Sequence, residues 1–451
     1  MRKRISAFFS VLAAIVLLTV PASAASSGST LKIICADAGQ VIFTPPGSTQ
    51  YAYRYGPAIL IDGDRIDIWA SAPPLVSNGV RYGNDSIEYI RSTDGGKTWT
   101  EWKTVLYPTL NSEDQWSTCD PGAFKYGDYY YVGYTGSPEF RTNPDKEKQV
   151  NNLFIARAKN PEGPYEKWNG NGWGGDPYAI TRYSGDGVGC SMPSFTVKGD
   201  TLYMYYVDQT HPDQDWNSEG NISVSTFSLK DPNWPGNELS NKMCENKPEE
   251  VRYCPDIDKF IGFQLKGGWD YDSYVEIYES TDGVNFTKTS SFRNNFPHYA
   301  HNIGISGNNL GQLDLSIQNY IDTAYTPTGV EAWWGHWHTQ LIPLYIREEQ
   351  PSSTTSSQPS GSTDSSSQKP TTSSVGSTDG ESSETEVSEP QNSNIESTVS
   401  DDKDKDKEVN NKTEQQEETS YLWLYIVIGA VVVLAGAGTA VYFLVIKKKH
   451  V

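Results

Sequence analysis

Three strand-like runs, each opened by a proline, are followed at a nearly constant distance by a turn that contains an aspartate or asparagine. The paired residues are Pro57 and Asp94, Pro121 and Asn160, and Pro193 and Asp231, which lie 37, 39 and 38 residues apart. Such a spacing is typical of a chain built from repeated supersecondary units that pack on their neighbours. The spacing therefore points to a repeat architecture before any other feature is considered.

The units have the composition of β-strands. Trp, Tyr, Val, Ile and Thr are frequent, and Gly, Asn, Asp and Pro separate the short apolar runs. Side chains alternate along the run from Thr201 to Val207, and no long stretch has the period of an amphipathic helix. The repeated unit is therefore expected to be a small antiparallel sheet.

Two further units complete the series. A fourth begins near Pro255 and reaches Asp282, and a fifth begins near His301 and ends near Leu344. Five units of about 60 residues, each with four strands, predict an all-β domain over residues 31–347 that folds as a five-bladed β-propeller. A two-sheet sandwich is the structural alternative, but it does not explain the regular spacing.

Two nearly identical turn motifs follow strands. Ser-Thr-Asp-Gly-Gly-Lys-Thr-Trp occupies residues 92–99, and Ser-Thr-Asp-Gly-Val-Asn-Phe occupies residues 280–286. The aspartate can accept hydrogen bonds from the turn amides, the glycine can take a positive φ, and the aromatic residue can pack beneath the hairpin. These roles are structural, so the motifs predict no chemistry.

The turns resemble the Asp-box of sialidases and related β-propellers. In addition, the segment from Cys119 to Tyr134 and the turn from Asn160 to Tyr165 resemble blade openings and outer turns of family 43 glycoside hydrolases. The resemblance extends over nearly the whole domain. It implies a five-bladed propeller and a glycosidase that acts on oligosaccharides or polysaccharides.

The resemblance also implies a site where the innermost strands begin at the propeller axis. Asp120 matches the blade-two aspartate of the family pattern and is the predicted catalytic residue. The blade-one position before Pro57 has no aspartate, and the blade-three position has Met192 in place of the acid glutamate. Other carboxylates that could supply the missing groups are Asp37, Asp85, Glu250 and Asp256.

Polar residues at the other strand starts are predicted to bind the ligand. They are Arg54 and Tyr55 in blade one, Arg252 and Tyr253 in blade four, and His301 and Asn302 in blade five. Related enzymes often hold a cation on the axis with a histidine nearby. His301 is therefore also a candidate ligand of an axial Ca²⁺ or other cation.

Two other functions stay open. The missing carboxylates favour a carbohydrate-binding surface protein without hydrolytic activity. A sialidase-like enzyme would use Arg54 to bind a carboxylate, although one extra residue separates Arg54 from Pro57 compared with the sialidase pattern. The chain has no basic face of the kind that binds nucleic acid.

The termini predict an exported protein anchored in a membrane. Residues 1–24 have the basic start, apolar run and small-residue cleavage pattern of a signal peptide. Residues 421–446 are apolar and uncharged, followed by three lysines in a cytoplasmic tail at 447–451, so they predict one transmembrane helix. A single-pass protein of a bacterial cell membrane, with its N-terminal domain outside, is expected.

A polar segment over residues 348–420 separates the domain from the predicted helix. It is rich in Ser, Thr and acidic residues, and it has too few large apolar side chains to form a core, so it predicts a disordered stalk. Much of the net charge of −20 lies in this stalk and does not describe the ligand.

The five cysteines all lie in the predicted domain. Export permits disulfides, but an odd number leaves at least one thiol unpaired. No spacing typical of a zinc site occurs. Most of these cysteines are expected to be buried as small apolar residues.

Overall fold

The computed structural model describes residues 29–46, 52–138, 140–143, 146–182, 188–210, 220–327, 335 and 337–349, with the backbone alone for 140–143 and 146–149. The predicted signal peptide (1–24), the stalk beyond Glu349, the transmembrane helix (421–446) and the tail (447–451) lie outside these residues. Within the described ranges, no helix has the length and apolarity needed to cross a membrane.

The described part of the chain is all β, as the sequence predicts, and it contains no α-helix. Its strands are β1 Thr30–Cys35, β2 Gln40–Phe43, β3 Tyr55–Asp62, β4 Arg65–Ala72, β5 Leu75–Ser77, β6 Val80–Tyr82, β7 Ser86–Ser92, β8 Lys103–Leu106, β9 Ser117–Tyr126, β10 Tyr129–Ser137, β11 Phe140–Asn143, β12 Lys146–Gln149, β13 Asn152–Ala158, β14 Glu166–Lys167, β15 Gly189–Lys198, β16 Thr201–Gln209, β17 Asn221–Ser228, β18 Glu238–Met243, β19 Glu250–Cys254, β20 Lys259–Lys266, β21 Tyr274–Ser280, β22 Thr287–Phe292, β23 Ala300–Gly307, β24 Asn319–Tyr325 and β25 His338–Glu349.

Most of these strands form five antiparallel sheets in chain order. Sheet one is β3-β4-β7-β8, sheet two is β9-β10-β13-β14, sheet three is β15-β16-β17-β18, and sheet four is β19-β20-β21-β22. Sheet five is β23-β24-β25, with β1 and β2 both paired to β25. Two separate hairpins, β5-β6 and β11-β12, complete the described strands.

The outer edge of sheet five comes from the N-terminal part of the domain. β1 pairs antiparallel with the end of β25, with Ile33 opposite Ile346, and β2 pairs with its beginning. β1 alternates buried Leu31, Ile33 and Cys35 with more exposed residues, which suits a strand with one face on a core. The sequence reading ended the fifth unit near Leu344 and missed this contribution from the N-terminal strands.

Each sheet contacts the next through a buried apolar cluster, and sheet five contacts sheet one in the same way. The first strands of the sheets also touch in the order β3, β9, β15, β19, β23 and back to β3, and β23 pairs in parallel with β3. These innermost strands lie very close together. A Cβ at Gly122 would overlap the Pro193 carbonyl, and one at Gly304 would overlap the Pro57 carbonyl, so only glycine fits there.

Both turn motifs form the predicted hydrogen bonds. Asp94 accepts bonds from the amides of Lys97 and Thr98 at 3.1 and 2.9 Å. Asp282 accepts bonds from the amides of Val284 and Asn285 at 2.9 and 2.8 Å. The aromatic residues that end the motifs pack on apolar clusters, so the motifs close the hairpins between the third and fourth strands of sheets one and four.

The fourth unit begins earlier than the sequence reading placed it. β19 spans Glu250–Cys254, and Pro255 follows it in the turn that leads to β20. Pro255 lacks an N–H group and ends this strand instead of opening it. Arg252 and Tyr253 therefore lie along the strand, and the exposed Asp256 lies in the turn beyond it.

All five cysteines are free and buried, in agreement with the sequence prediction. No disulfide therefore crosslinks the sheets, which are held together by packing, hydrogen bonds and ion pairs such as that of Lys198 with Asp258.

One buried carboxyl lies between sheets five and one. Asp322 on β24 is fully buried, opposite Gly304 and Leu341 in the neighbouring strands. Neither carboxyl oxygen has a hydrogen-bond partner among the described residues. Burial raises the pKa of Asp322 from 3.8 to about 7, and the nearby Thr323 amide offsets this only in part.

The Asp322→Asn variant should be more stable than the wild type above pH 7. Between about pH 4 and 7 the folded state keeps a proton that the unfolded chain releases, so the free energy of unfolding of the wild type falls as pH rises through this window. Asparagine cannot ionise, and we expect a gain of roughly 1–3 kcal/mol at pH 8 that vanishes near pH 4.

Urea unfolding of the full-length chain at pH 4 and pH 8 measures this difference. Asp128→Asn, at an exposed turn position, serves as the matched control and should change stability at neither pH. Equal stability of Asp322→Asn and the wild type at pH 8 would show that Asp322 is not buried without a partner.

Candidate functional site

Four of the five innermost strands share an irregularity near their beginning. Gly56, Asp120, Met192 and Asn302 have φ angles of 57°, 48°, 57° and 58°. Each lies where the strand register shifts by a bulge, in β3, β9, β15 and β23. A non-glycine residue with positive φ is uncommon in a strand, so three strained residues occur at equivalent places.

The bulges bring these four residues close together where the first strands of the sheets meet. A Cβ at Gly56 would lie 3.2 Å from Asp120 Oδ1. Asn302 Nδ2 lies 3.5 Å from Met192 Sδ, a contact that joins sheets five and three across the axis. Since bulges re-aim side chains and often occur beside functional sites, this cluster is the candidate site. It is called the bulge cluster below.

Hydroxyl groups from the preceding sheet hold two of the bulges. Ser71 Oγ on β4 accepts the Asp120 amide at 2.7 Å, and Thr135 Oγ1 on β10 accepts the Met192 amide at 2.9 Å. Both hydroxyl residues are buried. The Thr135 hydroxyl also donates to the carboxylate of Asp120, because a hydroxyl can donate and accept at the same time. The sequence reading did not identify Ser71 or Thr135.

Asp120 is the carboxylate of the bulge cluster. Burial raises its pKa from 3.8 to about 6, while hydrogen bonds from Thr135 and the Cys119 thiol act in the opposite direction. The Cys119 Sγ lies 3.5 Å from Oδ2. A carboxyl with this pKa is available in both protonation states near neutral pH, which suits a group that transfers protons.

A chain of polar groups leads from Asp120 to a second, buried carboxyl. Ser117 Oγ lies 3.4 Å from Cys119 Sγ and 2.9 Å from Asp85 Oδ2. Tyr53 donates to the other oxygen of Asp85 at 2.5 Å. Asp85 is 4% exposed and its charge contributes to the raised pKa of Asp120. Asp85 therefore raises the pKa of Asp120 although it is itself almost fully shielded from solvent.

Arg54 has a structural environment that the sequence did not reveal. Its guanidinium forms an ion pair with Glu88 and donates to the Tyr53 carbonyl at 2.6 Å. It also lies over the rings of Phe43 and Trp102, at 4.5 and 5.4 Å from their centroids. These contacts give Arg54 a structural role, and ligand binding by Arg54 stays a prediction.

Arg252 and Tyr253 are also held by internal contacts. Arg252 is 5% exposed, forms an ion pair with Glu250 at 2.8 Å, and donates to Ser194 Oγ and to the Ile305 carbonyl. Tyr253 donates to Asp258 at 2.7 Å in the turn after β19. β19 begins earlier than expected, so these two residues lie within the strand, and ligand binding by them stays a prediction.

Glu250 lies between the innermost strands of sheets three, four and five. Its Oε2 is 3.2 Å from Ser194 Oγ, two residues along β15 from Met192. The side chain of Glu250 is 13% exposed. Burial raises the pKa of Glu250, and Arg252 favours its ionised form. Glu250 is thus a second carboxylate among the innermost strands.

The other predicted ligand residues lie in or beside the bulge cluster. Tyr55 is buried beside His301, with ring centroids 5.7 Å apart, and His301 directly precedes Asn302. Burial lowers the pKa of His301 to about 3, so its ring is neutral at physiological pH. Rings of Trp269 and Trp337 flank it, each with its centroid 4.4 Å away.

The axial cation stays a prediction. Among the described residues, no group of three or more His, Cys, Asp or Glu side chains could hold a metal ion. His301 packs against the rings of Trp269 and Trp337, an environment that suits a neutral ring. The remaining alternatives for a catalytic carboxylate lie elsewhere, since Asp37 is exposed and Asp256 lies in the turn after β19.

Comparisons with known proteins give no family and no curated relative for this chain, because no family model and no curated protein matches it. Similar solved structures include an α-L-arabinofuranosidase of Podospora anserina in complex with cellotriose, with a TM-score of 0.45 and 12% identity over 72% of this chain and 99% of that chain. A family 117 glycoside hydrolase of Zobellia galactanivorans has a TM-score of 0.45 and 15% identity over 71% and 91% of the two chains.

An α-L-arabinofuranosidase of Clostridium thermocellum has a TM-score of 0.41 and 14% identity over 66% of this chain and 95% of that chain. Similarities at this level do not assign the chain to a family. Its function has to be inferred from its own residues.

The Gly56→Ala substitution tests how closely the bulge cluster is packed. Gly56 and the exposed Gly127 have the same φ of 57°, but a Cβ at Gly127 would meet no atom within 4 Å. Gly127→Ala should therefore cost only the strain of a positive φ, about 1 kcal/mol. Gly56→Ala should cost more, because its Cβ also crowds Asp120.

Thermal unfolding of the two variants of the full-length chain measures the difference. The larger loss is expected for Gly56→Ala. Equal losses would mean that Gly56 and Asp120 do not approach each other as the structure places them.

Proposed function

We propose that residues 30–349 form a closed five-bladed β-propeller, and that the bulge cluster at its axis is the active site of a glycoside hydrolase. The observation that carries this proposal is Asp120, a carboxyl that is held among the innermost strands in a strained conformation and has a pKa raised to about 6. The substrates would be oligosaccharides or polysaccharides.

Asp120 would act as the general acid. Cleavage of a glycosidic bond requires a proton on the leaving oxygen, and a carboxyl in a poorly solvated site retains its proton at a higher pH than one in water. Burial is the main cause of the raised pKa of Asp120, which fits this role. Thr135 and Cys119 would keep its orientation through their hydrogen bonds.

Glycosidases of the usual kind need a second carboxylate near the scissile bond. We assign this role to Glu250, which lies on the axial side of β19 and is ion-paired with Arg252. An ionised carboxylate at this place could activate a water molecule or stabilise positive charge on the sugar ring. Arg252 would then act as a positioning residue for Glu250.

A carbohydrate-binding protein without hydrolytic activity is the second candidate. It is favoured by the composition of the bulge cluster, in which Gly56, Met192 and Asn302 occupy the three positions equivalent to Asp120. A sialidase-like enzyme is not proposed, because the guanidinium of Arg54 is paired with Glu88 and packs against the rings of Phe43 and Trp102.

We further propose that the domain is displayed on the surface of a bacterial cell. The signal peptide at 1–24, the stalk at 348–420 and the apolar segment at 421–446 support this proposal. A flexible stalk of about 70 residues would span roughly 45–50 Å. The site would then meet polysaccharides in the medium or on neighbouring cells.

The Asp120→Asn variant should lose hydrolytic activity and keep binding. We expect a fall in kcat of about 10²–10⁴-fold, because asparagine fits the same space but cannot donate an acidic proton. Aryl α-L-arabinofuranosides and xylose oligosaccharides, incubated with the full-length chain, provide the first assay. Asp64→Asn, in the exposed turn after β3, is the matched control and should keep full activity.

The pH profile of the wild type checks the same assignment. A general acid must be protonated, so kcat should be highest below about pH 6 and should fall as the pH rises through the pKa of Asp120. Unchanged activity of Asp120→Asn would exclude the proposed acid. Glycan binding by the wild type without any cleavage would establish the binding protein instead.

A further inference from the structure

Trp269 combines two unusual properties. Its φ is 71°, although a bulky side chain rarely adopts a positive φ, and its side chain is 36% exposed although it is a tryptophan. Strain of this kind persists only where the surroundings impose it, and it is often found where a side chain has to be held in a particular place for function.

The loop that carries Trp269 is firmly attached to the start of β23. The Trp269 amide donates to the Ala300 carbonyl at 3.0 Å, and the Tyr299 amide donates to the Asp270 carbonyl at 3.0 Å. Ser273 Oγ accepts the Ala300 amide at 3.1 Å and donates to the carbonyl of Asp270 at 2.7 Å. These bonds fix the position of the Trp269 ring relative to β23.

A continuous series of rings leads from Trp269 toward Asp120. The Trp269 ring lies 4.4 Å from His301 and 5.3 Å from Trp337, measured between centroids. Tyr55 lies 5.3 Å from Trp337 and 5.7 Å from His301, and it packs with Cys119, the residue before Asp120. Trp269 is 36% exposed, and it packs on the rings of His301 and Trp337.

An unused polar group lies beside the same rings. Asn302 is 8% exposed, directly follows His301, and belongs to the bulge cluster. Its Oδ1 has no hydrogen-bond partner among the described residues, while its Nδ2 contacts Met192 Sδ. A buried amide oxygen without a partner costs free energy unless a ligand or water donates to it.

We propose that Trp269, His301 and Asn302 form a sugar-binding subsite beside the bulge cluster. The exposed face of Trp269 would stack on the apolar face of a pyranose ring, and Asn302 Oδ1 would accept a hydrogen bond from a sugar hydroxyl. An aromatic face next to a few fixed polar groups is the usual composition of a small-molecule site. The inference rests on the proposed function and adds where the substrate binds.

The neutrality of the subsite indicates which class of sugar it takes. His301 carries no charge at physiological pH, and neither Trp269 nor Asn302 can ionise. The two arginines predicted at the strand starts, Arg54 and Arg252, are paired with Glu88 and Glu250. A neutral hexose or pentose ring therefore fits the subsite better than an acidic sugar.

The Trp269→Asn variant tests the subsite, because asparagine tolerates a positive φ but offers no ring. A printed array of neutral and acidic oligosaccharides that includes xylotriose and cellotriose is first used to select the tightest ligand of the full-length wild type. Calorimetry with that ligand should then show binding at least ten times weaker for Trp269→Asn. Trp269→Phe, which keeps an aromatic face, should recover most of the loss.

Tyr345→Ala is the control, since Tyr345 is half exposed on β25 and makes no contact with the Trp269 rings. It should bind like the wild type, and thermal unfolding should show that Trp269→Asn remains folded. Unchanged affinity of folded Trp269→Asn, with a wild type that binds or cleaves a glycan, would overturn the subsite and leave the proposed function standing. A wild type that neither binds nor cleaves any sugar on the array would overturn both.

Discussion

Pairing between the two ends of the domain is the interaction on which the other contacts depend. β1 and β2 pair with β25, which would otherwise present an unpaired edge to solvent. β1 also places Leu31, Ile33 and Cys35 in the apolar cluster between sheets four and five. The bulge cluster combines residues of sheets one, two, three and five, so its geometry requires sheet five to stay where this pairing holds it. The N-terminal strands therefore support a site with which they make no described contact.

The residues at the axis are held in conformations that their own preferences oppose. Asp120, Met192, Asn302 and Trp269 all have positive φ angles, each of which costs on the order of 1 kcal/mol or more. Buried hydroxyls of the neighbouring sheet and backbone hydrogen bonds of β23 hold them in place. Glycine would adopt these φ angles without the cost, so the strain is present because of the side chains that these positions carry. Gly56 is the one member of the bulge cluster in which the conformation is free of this cost.

The sequence predicted features that depend on residues close together in the chain, and it missed contacts between residues that are far apart in the chain. Strands form around Pro57, Pro121 and Pro193, but they begin two to four residues earlier than predicted, and each proline lies inside its strand at the bulge. Pro255 was misread because a proline can end a strand as well as begin one. Ligand binding by Arg54 was inferred from its place before a strand, while its partner Glu88 comes from another strand of the same sheet. The sequences of β1 and β25 do not predict that they pair, because each strand taken alone has the pattern of an ordinary edge strand.

The five free cysteines have a consequence for how the chain must be made. They are spread over the molecule, in β1, β9, β15 and β19 and just after β18, and each is buried once the sheets have packed. Thiols that the native state never joins can still be joined wrongly while they are exposed, if folding takes place in an oxidising compartment. Correct folding would then require that each thiol is buried by the packing of its sheet on the next before it forms a disulfide with another thiol. The folded domain would then contain five reduced thiols, none of which forms a crosslink.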